Sequence, residues 1–121
     1  LKSKYYLSPA LSPDKTKICG VAYGKGTFVC DLNNKVLFGP EKLESPTWIN
    51  DRLIVGVTTK DDGLNIRSTL MKIVDIQTGK AEDIELSDQI ALSPKFNRAA
   101  NKIYFQNPDG ELYSIKIKHI E

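Results

Sequence analysis

Short apolar runs of strand length, separated by turn residues, follow one another along the whole chain. "KICGVAY" and "TFVCDL" flank "GKG", a glycine-bearing loop of the hairpin kind, and "NNK" then turns the chain into "VLF". The same succession returns as "RLIVGVTT", the polar loop "KDDGLNIR", "STLMKIVDI", the turn "QTGK" and a short "AEDIEL". Finally "KIYFQ" meets "ELYSIKIKHI" across "NPDG". There Pro108 presets φ, Asp109 is read as bonding its own backbone, and Gly110 supplies a positive φ. No segment of helical length carries a sustained apolar stripe at i, i+3, i+4 and i+7, so the pattern predicts an all-β chain.

A second pattern overlies the first. "SPALSPDKTKI" near the start returns as "SPKFNRAANKI" near the end, each with Ser-Pro, an apolar fourth residue and an isoleucine at the eleventh place. Ser8 and Pro9 with Leu11 and Ile18, Ser45 and Pro46 with Trp48 and Leu53, and Ser93 and Pro94 with Phe96 and Ile103 each precede one strand group. Three repeats of roughly 35 to 50 residues result, the period of four-stranded propeller blades. Their approximate bounds are 8–44, 45–92 and 93–121, the last incomplete because no fourth strand is evident. Strands buried on both faces lose alternation, which accounts for "LIVGV" being apolar at nearly every position. Mid-strand Gly20 and Gly56 are read either as sites of close packing or as bulges.

These frames resemble the repeats of TolB-like, WD-related bacterial β-propellers, whose pattern runs Ser-Pro-x-Trp-Ser-Pro-Asp-Gly-x-x-Ile, then a strand ending in a "DxxTGK" turn. "SPALSPDKTKI" is similar to it, with Leu11 at the aromatic place and Lys15 at the glycine place. "SPTWINDRLI" keeps the tryptophan with a shortened turn, and "IVDIQTGKAEDI" looks like the later strands of such a blade. "SPKFNRAANKIYF" keeps the frame but lacks the Pro-Asp-Gly turn. The blade motif therefore comprises Ser8, Pro9, Ser12, Pro13, Asp14, Ser45, Pro46, Trp48, Ser93, Pro94 and Phe96. Within it Asp14 is expected to accept backbone N–H bonds in a tight turn, and Pro13 to set that turn's first φ. Trp48 and Phe96 are expected to fill the space between neighbouring sheets. Tyr5 and Tyr6 either form a strand of another blade or pack at the rim.

Propellers close with about four to eight blades, so three make a partial ring. Either the sequence is a piece of a longer propeller, as its start at Leu1 and its stop at Glu121 within a strand pattern suggest, or two copies pair as half-rings of a six-bladed homodimer.

The two cysteines allow two arrangements. A two-residue turn at Gly24 and Lys25 puts Cys19 opposite Cys30, within reach of a cross-strand disulfide, whereas a three-residue turn shifts them out of register. Two buried thiols are the alternative. A zinc site is disfavoured, because His119 is the only histidine and lies far along the chain from both cysteines.

Composition narrows the function. The net charge of +2 is scattered rather than gathered into a stripe, so no nucleic-acid partner is expected. In "IKIKHIE", Lys116 and Lys118 leave a strand on one face, read as a basic contact patch or as lysines guarding an edge strand. No apolar run is long enough to cross a bilayer, and no basic start leads into an apolar stretch as in a signal peptide, so a mature or trimmed sequence is expected. There is no G-x-S-x-G elbow and no phosphate-binding glycine loop. Asp61 and Asp62 lack the ligand spacing of a calcium loop, and Glu82 and Asp83 beside Lys80 read as a polar outer strand. No catalytic residue, cofactor or metal is expected.

The resemblance implies a non-catalytic β-propeller scaffold that binds a protein, peptide or glycan partner in the bacterial periplasm or cell envelope. Its repeats are also similar to the substrate-gating propellers of prolyl-oligopeptidase and dipeptidyl-peptidase serine peptidases. In that alternative the catalytic domain lies outside these residues.

Overall fold

The structure, a computed structural model, describes residues 6–22, 25–61, 66–84 and 92–116. These residues contain eleven strands and no helix. The first sheet comprises β1 (Tyr6–Leu11), β2 (Lys17–Ala22), β3 (Gly26–Asp31) and β4 (Val36–Glu41). The second comprises β5 (Glu44–Trp48), β6 (Leu53–Asp61), β7 (Ile66–Asp75) and β8 (Ala81–Ile84). The third comprises β9 (Leu92–Asn97), β10 (Lys102–Gln106) and β11 (Leu112–Lys116). Each sheet is an antiparallel meander in chain order, four-, four- and three-stranded, and none closes on itself. The three Ser-Pro frames are themselves the opening strands β1, β5 and β9. Tyr6 begins β1 opposite Ala22, so it belongs to the first sheet rather than to a separate blade; Tyr5 lies outside the described residues.

Two apolar layers hold the three sheets together. In the first sheet Ala10, Cys19, Val29 and Phe38 form one cross-strand row, and they pack with Trp48, Ile54 and Val74 of the second sheet and with Ile76 in the turn after β7. The second layer joins Val55, Val57 and Met71 to Ile103 and Phe105 of the third sheet, with Phe96, Tyr113 and Ile115 packed against it. The middle sheet thus buries both faces. Ile54 belongs to one layer and Val55 to the other, the physical reason why β6 reads apolar without alternation.

Linker residues fasten the layers. Leu43, between β4 and β5, is 2% exposed, and its carbonyl accepts a hydrogen bond from the buried Thr27 hydroxyl at 2.6 Å. Gly56 lies under it. A Cβ there would stand 2.6 Å from Leu43 Cγ, so glycine at this regular ladder position serves close packing, not a bulge. Gly20 also sits in an unbroken ladder, opposite Phe28.

The register corrects the two-residue reading of the first hairpin. Ala22 pairs with Gly26, leaving three residues between the strands. Cys19 therefore faces Val29, and Cys30 faces Ile18. Because side chains alternate along a strand, the two sulfurs lie on opposite sides of the sheet, and both cysteines are free and buried. A disulfide between them would need one strand to slip by a residue.

Candidate functional site

The hairpin turns β1–β2, β3–β4, β5–β6, β7–β8 and β9–β10 gather at one end of the stack, and each is built on one Asp or Asn. Asp14 Oδ1 accepts from the Thr16 N–H at 3.0 Å, the Ser12 hydroxyl at 2.6 Å and the Thr16 hydroxyl at 2.7 Å. Asp31 accepts from the N–H groups of Asn33 and Lys35, Asn50 from Arg52 and Leu53, and Asp75 from Gln77 and Thr78. Asn97 accepts from Ala100. A short side-chain oxygen can reach N–H groups two to four residues on and substitute for a missing ladder partner.

At the opposite end, "NPDG" uses the same device two residues earlier than expected. Asn107, not Asp109, organises that turn, its Oδ1 accepting from the Asp109 and Glu111 N–H groups while its Nδ2 donates to Glu111 Oε1. Gly110 has φ +83°, as a glycine at that turn place permits.

Bonds between turns carry this polar end across the sheets. The Asp14 N–H donates to Asp51 Oδ1 at 2.7 Å. Arg52 donates through Nε to Asp75 Oδ2 at 2.7 Å, and its Nη2 lies 2.6 Å from the same oxygen. The Arg98 guanidinium reaches the Ile49 carbonyl at 3.1 Å, tying the third sheet to the second. Bonds from the Ser12 and Thr16 hydroxyls and the Thr16 N–H, with Lys17 nearby, hold the Asp14 carboxyl well below the ordinary carboxylate range. The Arg52 hydrogen bond, with the Gln77 and Thr78 N–H groups, lowers Asp75 to about 2. Carboxylates so held stay ionised at neutral pH and act as acceptors rather than proton donors.

The residues of the Ser-Pro frames divide between this end and the apolar layers. Ser12 is 1% exposed and bridges the first turn, donating to Asp14 and accepting from the Lys17 N–H. Lys15 has φ +63° at the place where the repeat pattern that the chain resembles carries glycine. Trp48 sits in the first layer with Nε1 donating to the Ala10 carbonyl at 3.0 Å, and Pro94 is fully buried. Pro46 is buried, Pro9 and Pro13 are exposed, and Ser45 has φ +52°. Ser8 and Ser93 occupy β1 and β9. Asp61 closes β6, whereas Asp62, Lys118 and His119 lie outside the described residues. Asp83 pairs with Lys72, its Oδ1 3.8 Å from Nζ, as a polar outer strand does.

Burial pushes the Cys19 thiol up to about 11 and raises that of Cys30 as well, which disfavours the nucleophilic thiolate. Among the described residues no three His, Cys, Asp or Glu side chains converge on a metal position. No helix among them is long and apolar enough to cross a membrane. The chain matches no protein-family model and no curated protein.

Sequence reasoning missed Asp51, Arg52, Asn50 and Arg98 as linking groups. An Asp or Asn at the start of each polar turn was a readable sign of local turn chemistry. The bonds from one turn to the next carry no such sign, because their partners lie in different repeats.

Proposed function

We propose that this chain is a non-catalytic scaffold of β-propeller type, similar to the TolB-like repeats, that holds a protein, peptide or glycan partner in the bacterial periplasm or cell envelope. One observation carries the reading: successive antiparallel meanders, each opening on a Ser-Pro strand, stack face to face with the middle sheet buried on both sides. Radial repetition of such sheets would gather the turns of all of them around a shared axis, where many weak contacts grip one partner. The chemistry agrees with binding rather than turnover. Asp14, Asp31 and Asp75 at the turn end are engaged by their own turns and Asp51 by the Asp14 N–H, and the described cysteines are buried neutral thiols.

Light scattering across a concentration range, combined with small-angle X-ray scattering, tests the ring. Expected is a stable dimer with the scattering profile of a closed ring, or an association ladder relieved by the remainder of a longer chain. A monodisperse, stable monomer at every concentration overturns the partial-ring reading. Saturable hydrolysis of peptide or ester substrates by the purified chain overturns the non-catalytic one.

A further inference from the structure

The first two sheets have four strands, and the third has three. β11 takes the third position of its meander, as β3 and β7 do in theirs, but among the described residues no strand pairs with its outer side. Its backbone is ready for one. The Asn107 N–H donates to the Glu111 carbonyl, which sets the alternation of the β10–β11 ladder: Tyr113 and Ile115 bond toward β10, while the N–H and C=O groups of Leu112, Ser114 and Lys116 point away from it. Leu112 is 66% exposed on this strand.

The side chains state which strand would fit. The face of the third sheet turned away from the core carries Lys95, Asn97, Lys102, Tyr104, Gln106, Leu112, Ser114 and Lys116, with no carboxylate among them. Lys102 stands directly opposite Lys116, a like-charge pair that an incoming anion relieves. The opposite face is apolar, with Tyr113 and Ile115 packed against the second layer. The second sheet shows how such an edge is satisfied. There β8 lays Asp83 opposite Lys72, with an ion-pair distance of 3.8 Å, and Ile84 opposite Met71 against the apolar layer.

We infer that the outer edge of β11 is a docking site for an extended peptide segment of alternating acidic and apolar residues, which adds as the fourth strand of the third sheet. Main-chain bonds to Leu112, Ser114 and Lys116 supply affinity. A carboxylate set against Lys116 and Lys102, and an apolar side chain set against Ile115, supply selection. The inference rests on sheet topology and charge and stands apart from the propeller reading.

The probe is a synthetic peptide Lys-Ala-Glu-Asp-Ile-Glu-Leu, the sequence of 80–86, with a control peptide in which its three acidic residues are lysine. On adding the first peptide to the full chain, amide exchange at 112, 114 and 116 should slow on the order of tenfold. Ser114→Pro removes an outward N–H without removing a bond to β10, so it should fold and lose about tenfold or more in peptide affinity. The control peptide should lose a similar factor. If Ser114→Pro does not fold, Lys116→Glu serves instead and should weaken binding of the acidic peptide. Absence of peptide-dependent protection overturns the inference, as does equal binding by the folded variant or by the lysine control. Edge amides already protected in the peptide-free chain overturn it too: concentration-independent protection means that this chain covers its own edge, and concentration-dependent protection means that a second copy does.

Discussion

Trp48 of the second sheet donates its indole N–H to the Ala10 carbonyl of the first sheet at 3.0 Å, so one residue both fills the apolar layer and binds the neighbouring strand. The two contributions are separable. Trp48→Phe keeps most of the buried area and loses the bond, with an expected cost of about 1–2 kcal/mol, whereas Trp48→Ala should cost about 3–5 kcal/mol. Urea unfolding of the two variants measures both. Equal losses would mean that the bond, not the packing, joins the sheets.

Lys15 occupies the left-handed region at φ +63°, a conformation that costs a side-chain-bearing residue roughly 1 kcal/mol or more. Lys15→Gly relieves that strain but frees the unfolded chain, so a net gain of about 0.5 kcal/mol is expected. Lys15→Val should lose about 1–2 kcal/mol, because a β-branched residue fits the region worst. Thermal unfolding midpoints should rank Gly above Lys above Val.

Cys19 and Cys30 should both remain reduced thiols under mild oxidation of the folded chain. A thiol-specific chromophore at pH 8 should react slowly with the native protein and count two thiols only after denaturation. Since burial raises the thiol of Cys19 to about 11 from 9.0, its protonated form is favoured by folding. That contribution is fully present below pH 9 and should be lost as pH rises toward 11. A native intramolecular bridge seen by mass spectrometry would contradict the observed register.

Asp75 titrates at about 2, against an ordinary 3.8, chiefly because Arg52 donates to it. A depressed carboxyl stabilises the folded state above pH 4, and that contribution should fade as pH falls through about 2. In Arg52→Ala the Asp75 midpoint followed by NMR should move back toward 3.8. An unchanged midpoint would assign the depression to the turn N–H groups of Gln77 and Thr78 instead.

Much of the fold was legible residue by residue. The strands followed from alternation and from Gly, Pro, Asn and Asp punctuation, since those residues set local φ or bond their own backbone. The first hairpin's register was not legible, because "GKG" admits a two- or a three-residue turn and each places Cys30 on a different face. In "NPDG" the residue that holds the turn is Asn107, one of two short acceptors between which local sequence does not choose. At the polar end the turn-forming aspartates could be read, but Asp51, Arg52 and Arg98 act across repeats, and local propensity carries no information about distant partners.

The sequence by itself determined an all-β chain of repeated meanders, with turn positions set by short-range sterics and side-chain-to-backbone bonds. Tertiary structure alone decided that the middle sheet is buried on both faces, that Cys19 and Cys30 point apart, and that β11 ends the third sheet among the described residues. Each of these depends on which surfaces and edges meet across long stretches of chain, and such meetings are selected by the joint burial of apolar rows rather than by any single segment.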